Sequence, residues 1–267
     1  MKTRKTYDFS VADVSEVYDG PGGVLWEALM GEFIHIGGEP HTKTLAEKAG
    51  ITKDTYVLDV CSAVGAPSRW MARNFGCKVE GLDATVTMIK ESERRAKEAG
   101  LDNLVNYTRG SALDMPYKAN SFDVVWGEDA WCYVTDKDRL ISECARVLKP
   151  GGTLAFTDWL EVGDMPDDLR DRIYAFMIFP HMESIDGYKS LIAKHGLQLK
   201  ACDDLCKDFA EHMKLYEGMI KGALKPVILE KYGPDMYTYC ENGINDWVAA
   251  SAMGGVGRAR YIAKKPA

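Results

Sequence analysis

Short apolar runs alternate with amphipathic stretches between residues 55 and 158. Five runs are nearly continuous in apolar and β-branched residues, which is typical of strands that are buried on both faces of a sheet. These runs are YVLDV at Tyr56–Val60, KVEGL at Lys78–Leu82, LVNYT at Leu104–Thr108, FDVVW at Phe122–Trp126 and TLAFT at Thr153–Thr157. Two later runs, Leu197–Ala201 and Arg258–Ala263, predict the last two strands.

Helical patterns fill the intervals between these strands. Thr85–Ala99 is rich in Glu, Lys, Arg and Ala and stops at Gly100, because glycine commonly terminates helices. Thr135–Asp138 resembles a capping box at the start of a second helix. The apolar stripe of that helix consists of Leu140, Ile141, Cys144, Val147 and Leu148. The helix ends at Lys149–Gly152, where proline and glycine forbid its continuation.

The alternation of strands and helices predicts a parallel sheet with right-handed crossovers. In an open α/β sheet of this kind, ligands bind beyond the carboxyl ends of the strands. The flanking segments, residues 1–50 and 160–253, are mainly helical in pattern and rich in aromatic residues. Within the second segment, Ser184 is expected to cap a helix that ends near Gly196.

Composition and charge narrow the class of protein. The 267 residues are 46% apolar and 27% charged, which excludes a disordered or collagen-like chain. The net charge of −7 argues against a nucleic-acid partner. No apolar stretch approaches the ~20 residues that span a bilayer, and Met1–Ser10 lacks the apolar core of a leader. Seven scattered cysteines suit reduced thiols, so we expect a cytoplasmic protein without a membrane partner.

The loop after the first strand carries the first chemical signal. The segment Val57–Gly65 places Asp59 inside a buried strand, and Asp83 ends the next strand. A dinucleotide enzyme uses three glycines here to seat a pyrophosphate, whereas an S-adenosylmethionine enzyme needs close backbone approach and an acid on the ribose. Only Gly65 is present, beside Cys61 and Ala63, which disfavours a phosphate cradle. An incidental acid in an α/β core is the remaining alternative.

Five motifs together carry a resemblance to a known family. They are Val57–Gly65, Gly81–Ala84, Gly110–Pro116, Ser121–Val125 and Ala145–Gly152. In this order the chain resembles the class I S-adenosylmethionine-dependent methyltransferases over roughly residues 15–200. The resemblance implies a Rossmann-like α/β sandwich with a mostly parallel seven-stranded sheet and helices on both faces. It also implies a helical N-terminal cap and a helical insertion after the fifth strand.

Three further segments resemble a subgroup of that family. Tyr18-Asp19, Phe33–Gly37 and Glu128–Trp131 are similar to segments of the sarcosine/dimethylglycine and phosphoethanolamine N-methyltransferases. The resemblance implies one methyltransferase domain over residues 1–267. It would comprise a helical cap at 1–50, a donor-binding core at 51–160, and an acceptor-side insertion with the last strands at 161–267.

Some positions depart from the pattern of the family. Cys61 and Ala63 stand where glycine is usual, Ser111 stands where an acid is common, and Tyr133 stands where a histidine is common. A β-carbon narrows the room for the methionyl carboxylate and disfavours a positive φ. These departures bear on the affinity for the donor and leave open a protein that binds S-adenosylmethionine but is catalytically weak.

The resemblance implies roles for individual residues toward S-adenosylmethionine. Asp83 would hold both ribose hydroxyls, Asp59 and Glu128 would meet the methionyl end, and His35 would close the cap over the donor. Met88 is expected at the adenine, although a core methionine is nearly as good an interpretation. The full set of expected cofactor-binding residues is Tyr18, Trp26, His35, Asp59, Cys61, Ala63, Gly65, Asp83, Ala84, Met88, Ser111, Ala112, Leu113 and Glu128.

The acceptor side is expected beyond the fourth strand. Asp129, Trp131 and Tyr133 are the candidate catalytic residues. Aromatic rings would attract a methylated cation, and an amine would lose its proton to water, Tyr133 or Asp129. No metal is expected, because the five histidines are scattered and the Cys202/Cys206 pair stands alone.

The prediction is therefore methyl transfer from S-adenosylmethionine to a small-molecule acceptor, with the nitrogen of a glycine derivative or a similar small amine favoured. The alternatives are O- or C-methylation of a phenolic or quinone-like molecule and a catalytically weak donor-binding protein; a nicotinamide enzyme comes last. Assembly into a homo-oligomer stays open.

Overall fold

The computed structural model describes residues 6–267, so the first half of the Met1–Ser10 segment lies outside the described residues. Seven strands form one sheet in the order β3-β2-β1-β4-β5-β7-β6. Their bounds are β1 Tyr56–Val60, β2 Lys78–Asp83, β3 Val105–Arg109, β4 Phe122–Glu128, β5 Leu148–Glu161, β6 Gln198–Asp204 and β7 Val256–Lys264. The seven-stranded α/β sandwich of the prediction is confirmed.

The first five strands are parallel, and β7 lies antiparallel between β5 and β6. The residues of β1, β2, β4 and β5 pack on both faces, as the nearly continuous apolar runs predict, and Val57, Leu58 and Val125 are fully buried. The prediction is wrong for β3, which lies at the edge of the sheet and of which only Val105 is buried. In the register of the sheet, Asp59 of β1 pairs with Gly81 of β2 on one side and with Trp126 of β4 on the other. The carboxyl ends of these strands therefore meet at one edge.

The helices described lie before, between and after the strands. Three precede the sheet: α1 Val11–Asp19, α2 Pro21–Met30 and α3 Gly38–Ala49. The crossover helices are α4 Ala66–Phe75, α5 Val86–Glu98 and α6 Lys137–Val147. The later helices are α7 Asp167–Met177, α8 Ile185–Lys194, α9 Cys206–Lys221 and α10 Leu224–Ala252, the last kinked at Gly233. None of the helices between residues 6 and 267 is long and apolar enough to cross a membrane.

Two local expectations need correction. The fifth strand extends well beyond Thr153–Thr157, because nine residues of β7 pair with its whole second half. The capping box at Thr135–Asp138 is wrong, since α6 begins one residue later and the side chain of Asp136 accepts the Arg139 amide at 2.9 Å. The cap at Ser184 is confirmed, with its hydroxyl accepting the Gly187 amide at 2.9 Å.

Candidate active site

The loop after β1 adopts a left-handed backbone at alternate residues. Cys61 has φ 64°, Ala63 has φ 46° and Gly65 has φ 71°. A left-handed L-residue costs about 1–2 kcal/mol, so the tertiary structure must hold the first two residues in place. It does so through the sheet, because the amides of Cys61 and Ser62 donate to the Leu82 carbonyl at 2.7 and 3.1 Å. The loop thus keeps a backbone conformation that favours glycine, although Cys61 and Ala63 occupy two of the positions where glycine is usual.

A cavity of about 140 Å³ opens beside this loop, and we call it the loop cavity. It lies over the carboxyl ends of β1, β2 and β4 and is closed by helix α1. Nine of the expected cofactor-binding residues line it, namely Tyr18, Cys61, Ala63, Asp83, Ala84, Met88, Ser111, Ala112 and Leu113, together with the expected catalytic Tyr133. The fold therefore brings together residues, such as Tyr18 and Tyr133, that are more than 100 positions apart in the sequence.

The carboxylate of Asp83 is fixed in the wall of the loop cavity. Its Oδ1 accepts the amide and hydroxyl of Thr85 at 2.9 and 2.8 Å, and its Oδ2 accepts the Ala63 amide at 3.0 Å. Burial raises the pKa of this carboxyl, while the bonds from Thr85 and Ala63 oppose the rise. A carboxylate oxygen has two lone-pair sites, so Oδ2 retains one for a hydroxyl donor in the cavity.

A second cavity of about 40 Å³ adjoins the first and shares Tyr18, Cys61, Ala63 and Tyr133 with it. We call it the acid pocket, because the side chains of Asp59, Glu128 and Asp129 line it.

Two acids of this pocket are buried without a cation. Asp59 Oδ2 accepts the Ser68 hydroxyl at 2.5 Å, and burial raises the pKa of Asp59 to about 7. Glu128 Oε2 accepts the Thr42 hydroxyl at 2.8 Å, whereas its Oε1 has no partner among residues 6–267. Burial raises the pKa of Glu128 to about 8. Buried carboxyls with spare acceptors favour a cationic ligand, which would supply the missing hydrogen bonds and charge.

His35 lies behind Glu128 and lines neither cavity. Its Nε2 is 2.8 Å from the Thr42 hydroxyl and 3.4 Å from Glu128 Oε2, and its Nδ1 is 3.1 Å from the Ile36 carbonyl. Burial lowers the pKa of His35 to about 4, so the ring is neutral at pH 7. The expected contact between His35 and the donor is thus replaced by a positioning role, since the ring and Thr42 together hold the Glu128 carboxyl.

Asp129 is engaged by its own partners. Its Oδ1 accepts Arg258 Nε at 2.8 Å, its Oδ2 accepts the Ile36 amide at 3.0 Å, and the side chains of Asp129 and Arg258 are at most 1% exposed. Burial alone would raise the pKa of Asp129, but the Arg258 guanidinium outweighs it and the pKa is lowered. A lowered pKa and a direct ion pair with Arg258 make a poor base, which corrects the expectation that Asp129 removes a proton from an amine.

Two phenols stand where the two cavities meet. The hydroxyls of Tyr18 and Tyr133 are 3.2 Å apart, and burial raises the pKa of both side chains far above neutrality. At neutral pH both remain phenols, which can orient a ligand atom by hydrogen bonding but do not abstract a proton. The Cys61 thiol beside them is also held protonated, because burial raises its pKa well above its usual range.

Three expected residues lie elsewhere. Trp131 is 0% exposed, donates to the Val60 carbonyl at 3.2 Å and stacks on Phe156, so it belongs to the core rather than to an acceptor site. Trp26 packs edge-on against Phe176 and lines a different cavity. Gly65 caps α4 with its left-handed backbone and borders neither cavity.

Sequence reasoning missed other contributors. Val11 and Val14 of α1 line the loop cavity beside Tyr18, and their i, i+3, i+7 spacing could have revealed that face. Thr42, Ser68 and Arg258, which hold the three acids, have no sequence signal, because each lies at least nine residues from its partner.

The arrangement can hold one kind of cofactor well. The loop cavity has the fixed Asp83 carboxylate for the ribose and an apolar slot at Met88, Ala112 and Leu113 for an adenine ring. The adjoining acid pocket has two acids without a cationic partner, which suit an ammonium group. No pyrophosphate-seating triple-glycine loop is present in residues 57–65. With the Rossmann-like sheet, these features define the class: the chain is an S-adenosylmethionine-dependent methyltransferase. S-adenosylmethionine is its cofactor.

Comparisons with known proteins agree with this class. Residues 58–156 match the methyltransferase domain family. The chain is 29% identical over 216 residues to methyltransferase GfsG of Streptomyces halstedii, covering 74% of this chain and 77% of that protein. It is 25% identical to sarcosine/dimethylglycine N-methyltransferase of Halorhodospira halochloris, covering 90% and 89%. Phosphoethanolamine N-methyltransferase 2 of Haemonchus contortus, crystallised with S-adenosyl-L-methionine, has the same fold with a TM-score of 0.85, 21% identity and coverage of 95% and 60%.

Proposed function

We propose that the methyl group passes to a small-molecule acceptor and that the accepting atom is an amine nitrogen. The observation that carries this proposal is the joining of the acid pocket and the loop cavity at Tyr18 and Tyr133. This junction is where a donor that spans both cavities would present its sulfonium. The nitrogen as acceptor is supported by the N-methyltransferases among the relatives, three of which are named for sarcosine and dimethylglycine.

The residues described divide the work of holding the donor. Asp83 would accept one ribose hydroxyl at the free site of Oδ2 rather than both, and Met88, Ala112 and Leu113 would enclose the adenine with Ser111 at its edge. Glu128 and Asp59 would meet the ammonium of the methionyl end. Bound S-adenosylmethionine supplies a methyl group on a sulfonium, which is already a reactive leaving group. The protein therefore contributes mainly orientation and the exclusion of water.

An amine acceptor that binds in its protonated form must give up a proton to another group before methyl transfer. An amine reacts only through a free lone pair, so it binds neutral or loses a proton before transfer. With Asp129 held by Arg258 and both phenols protonated, we propose that water receives this proton. The Tyr18 and Tyr133 hydroxyls would then orient the nitrogen, because each oxygen can accept an N–H bond.

The organisation of the chain follows the same proposal. We propose one domain over residues 1–267, with a cap at 1–50, a donor-binding core at 51–160 and an acceptor-side region at 161–267. A cytoplasmic location belongs to the proposal as well.

Calorimetry with S-adenosylhomocysteine and with NAD tests the cofactor site. We expect S-adenosylhomocysteine to bind and NAD not to bind; tight NAD binding alone would overturn the assignment of the cavities. A mass-spectrometric screen for methylated products then tests the acceptor atom. Methylated amines support the proposal, whereas exclusive methylation of oxygen or carbon would replace it.

A second candidate is O- or C-methylation of an apolar acceptor, and one observation favours it. A cavity of about 380 Å³ has a mostly apolar lining and lies on the other side of α1 from the loop cavity.

A further inference from the structure

The cavity on the other side of α1 has a volume of about 380 Å³, and we call it the apolar chamber. Its wall includes Trp26 of α2, Phe176 of α7, Met213 and Ile220 of α9, and Trp247 of α10. Ligand sites in proteins begin near 300 Å³, and a dry cavity of about 150 Å³ holds one benzene ring. The chamber therefore has room for about two rings, which is far more than a glycine derivative occupies.

The charges around the chamber exclude an anionic ligand. Asp13 and Glu16 of α1 border it, and none of its lining residues is Lys, Arg or His. The two nearby arginines of α7 are already paired, Arg170 with Glu161 and Arg172 with Asp246. A carboxylate or phosphate buried here would lose its hydration without gaining a cation, and such a loss costs several kcal/mol. The chamber thus suits an uncharged body.

One polar group in the wall lacks a partner. Trp247 is 1% exposed and rests edge-on against Trp159, with their ring centroids 4.9 Å apart. Its indole Nε1 has no hydrogen-bond partner among residues 6–267. Buried polar groups are satisfied in the great majority of cases, so an unmet donor in the wall of a cavity indicates an acceptor atom on a ligand. An ether, hydroxyl or carbonyl oxygen would fill this role.

Helix α1 separates the chamber from the methyl-transfer position. Asp13, Glu16 and Val17 face the chamber, whereas Val14 and Tyr18 face the loop cavity. No residue of this helix is buried, so few packing contacts oppose a shift of it.

An aromatic wall continues between the two cavities. The rings of Tyr133 and Phe179 are 4.8 Å apart, and Phe179 packs against Trp159, which lines the chamber. The rings of Trp159 and Phe179 therefore lie between a molecule in the chamber and the junction at Tyr18 and Tyr133.

We propose that the apolar chamber holds the body of the acceptor, which is an apolar molecule without an anionic group, about two rings in size, with one oxygen that accepts from Trp247. The inference rests on the second candidate function, methyl transfer to the oxygen or carbon of an apolar acceptor, and specifies the class of that substrate. Displacement of α1 between chamber and loop cavity lets the nucleophilic atom of that molecule reach the junction. Trp247 becomes a residue that determines specificity.

Two-ring and zwitterionic probes test the proposal on the full chain saturated with S-adenosylhomocysteine. We expect calorimetry to show binding of 2-naphthol and no measurable binding of sarcosine. Trp247→Phe removes the N–H together with the five-membered ring of the indole and should weaken 2-naphthol binding about five- to tenfold. Because Trp247 is 1% exposed, the smaller ring should also lower the Tm, so naphthalene, which has no oxygen, is the control ligand: its binding should change less than that of 2-naphthol, whereas equal losses would indicate a packing effect alone.

A filling variant and a surface variant complete the design. Met236→Trp, at a half-buried chamber position, should abolish 2-naphthol binding and leave the affinity for S-adenosylhomocysteine unchanged. Val227→Trp, at a position 50% exposed on the same helix, should change neither. Sarcosine binding that exceeds 2-naphthol binding, or 2-naphthol binding that ignores both chamber variants, overturns the inference. Failure of S-adenosylhomocysteine to bind the wild type would instead count against the proposed function.

Discussion

The affinity for the donor should rise with pH, and Glu128 is the main reason. Its carboxyl has a pKa near 8 in the free protein because it is buried with Oε1 unpartnered. A bound ammonium favours the ionised form. The ionised fraction of a group with this pKa is about 9% at pH 7 and about 1% at pH 6, and apparent affinity scales with the competent fraction. Binding of S-adenosylhomocysteine should therefore weaken as the pH falls below 8, and the loss due to Glu128 should level off once this carboxyl is fully protonated.

Glu128→Gln isolates this contribution. The amide keeps the shape and an acceptor for Thr42 but replaces a charged hydrogen bond by a neutral one, a loss of about 1–2 kcal/mol or about 5- to 30-fold at pH 8.5. At pH 6 wild type and variant should bind nearly alike, because Glu128 is then protonated. The variant should also show a shallower pH dependence, with the remainder due to Asp59, whose pKa is about 7.

Calorimetry from pH 6.0 to 8.5, in buffers with different ionisation enthalpies, measures both the affinity and the protons released. Glu80→Gln is the matched control, since Glu80 is a buried acid on β2 that accepts from Thr108 and Tyr117 and lines neither cavity. A wild-type affinity that is flat over this range would refute the reasoning. The reasoning would also be refuted if the ratio of the wild-type affinity to the Glu128→Gln affinity were the same at pH 6.0 and at pH 8.5.

Three other variants test the remaining contacts. Asp83→Ala should weaken donor binding by about 1–3 kcal/mol in the same calorimetry, and an unchanged affinity would mean that the ribose lies elsewhere. Ala63→Gly should leave the free energy of unfolding in urea unchanged or raise it by up to about 1 kcal/mol, because φ 46° suits glycine, whereas Ala72→Gly in α4 should lower it by about 1 kcal/mol. Arg258→Met should lower the stability by about 3–5 kcal/mol by stranding a buried carboxylate, and the exposed Arg172→Met should change it by less than about 1 kcal/mol; equal small effects would contradict the buried pair.

The sheet was predictable because its signal is local. Runs such as Tyr56–Val60 are apolar on both faces whatever surrounds them, and Asp59 and Asp83 follow from their positions near strand ends. The left-handed backbone of Cys61 was not predictable, since only the bonds to the β2 carbonyl at Leu82 enforce it.

The direction of individual side chains needed the structure. Trp131 follows β4 directly, yet the short 3₁₀ turn Trp131–Tyr133 directs its ring under the sheet onto Phe156 and leaves Tyr133 at the cavity. Asp129 looked like a free acid because its partner, Arg258, lies 129 residues later. The apolar chamber likewise joins α1 to α10, so no window of sequence contains it.

The position of β7 in the sheet has a consequence for folding of the chain during synthesis. This strand is the last of the seven in chain order, yet it lies inside the sheet between β5 and β6. Domains that fold during synthesis begin from the N-terminal side. Six strands therefore leave the ribosome while one edge each of β5 and β6 still lacks its hydrogen-bonding partner. Strand β7 also brings Arg258 to Asp129. A chain that stops before residue 256 therefore has unpaired edges on β5 and β6, and it has a buried Asp129 carboxylate without its cation beside the cofactor site.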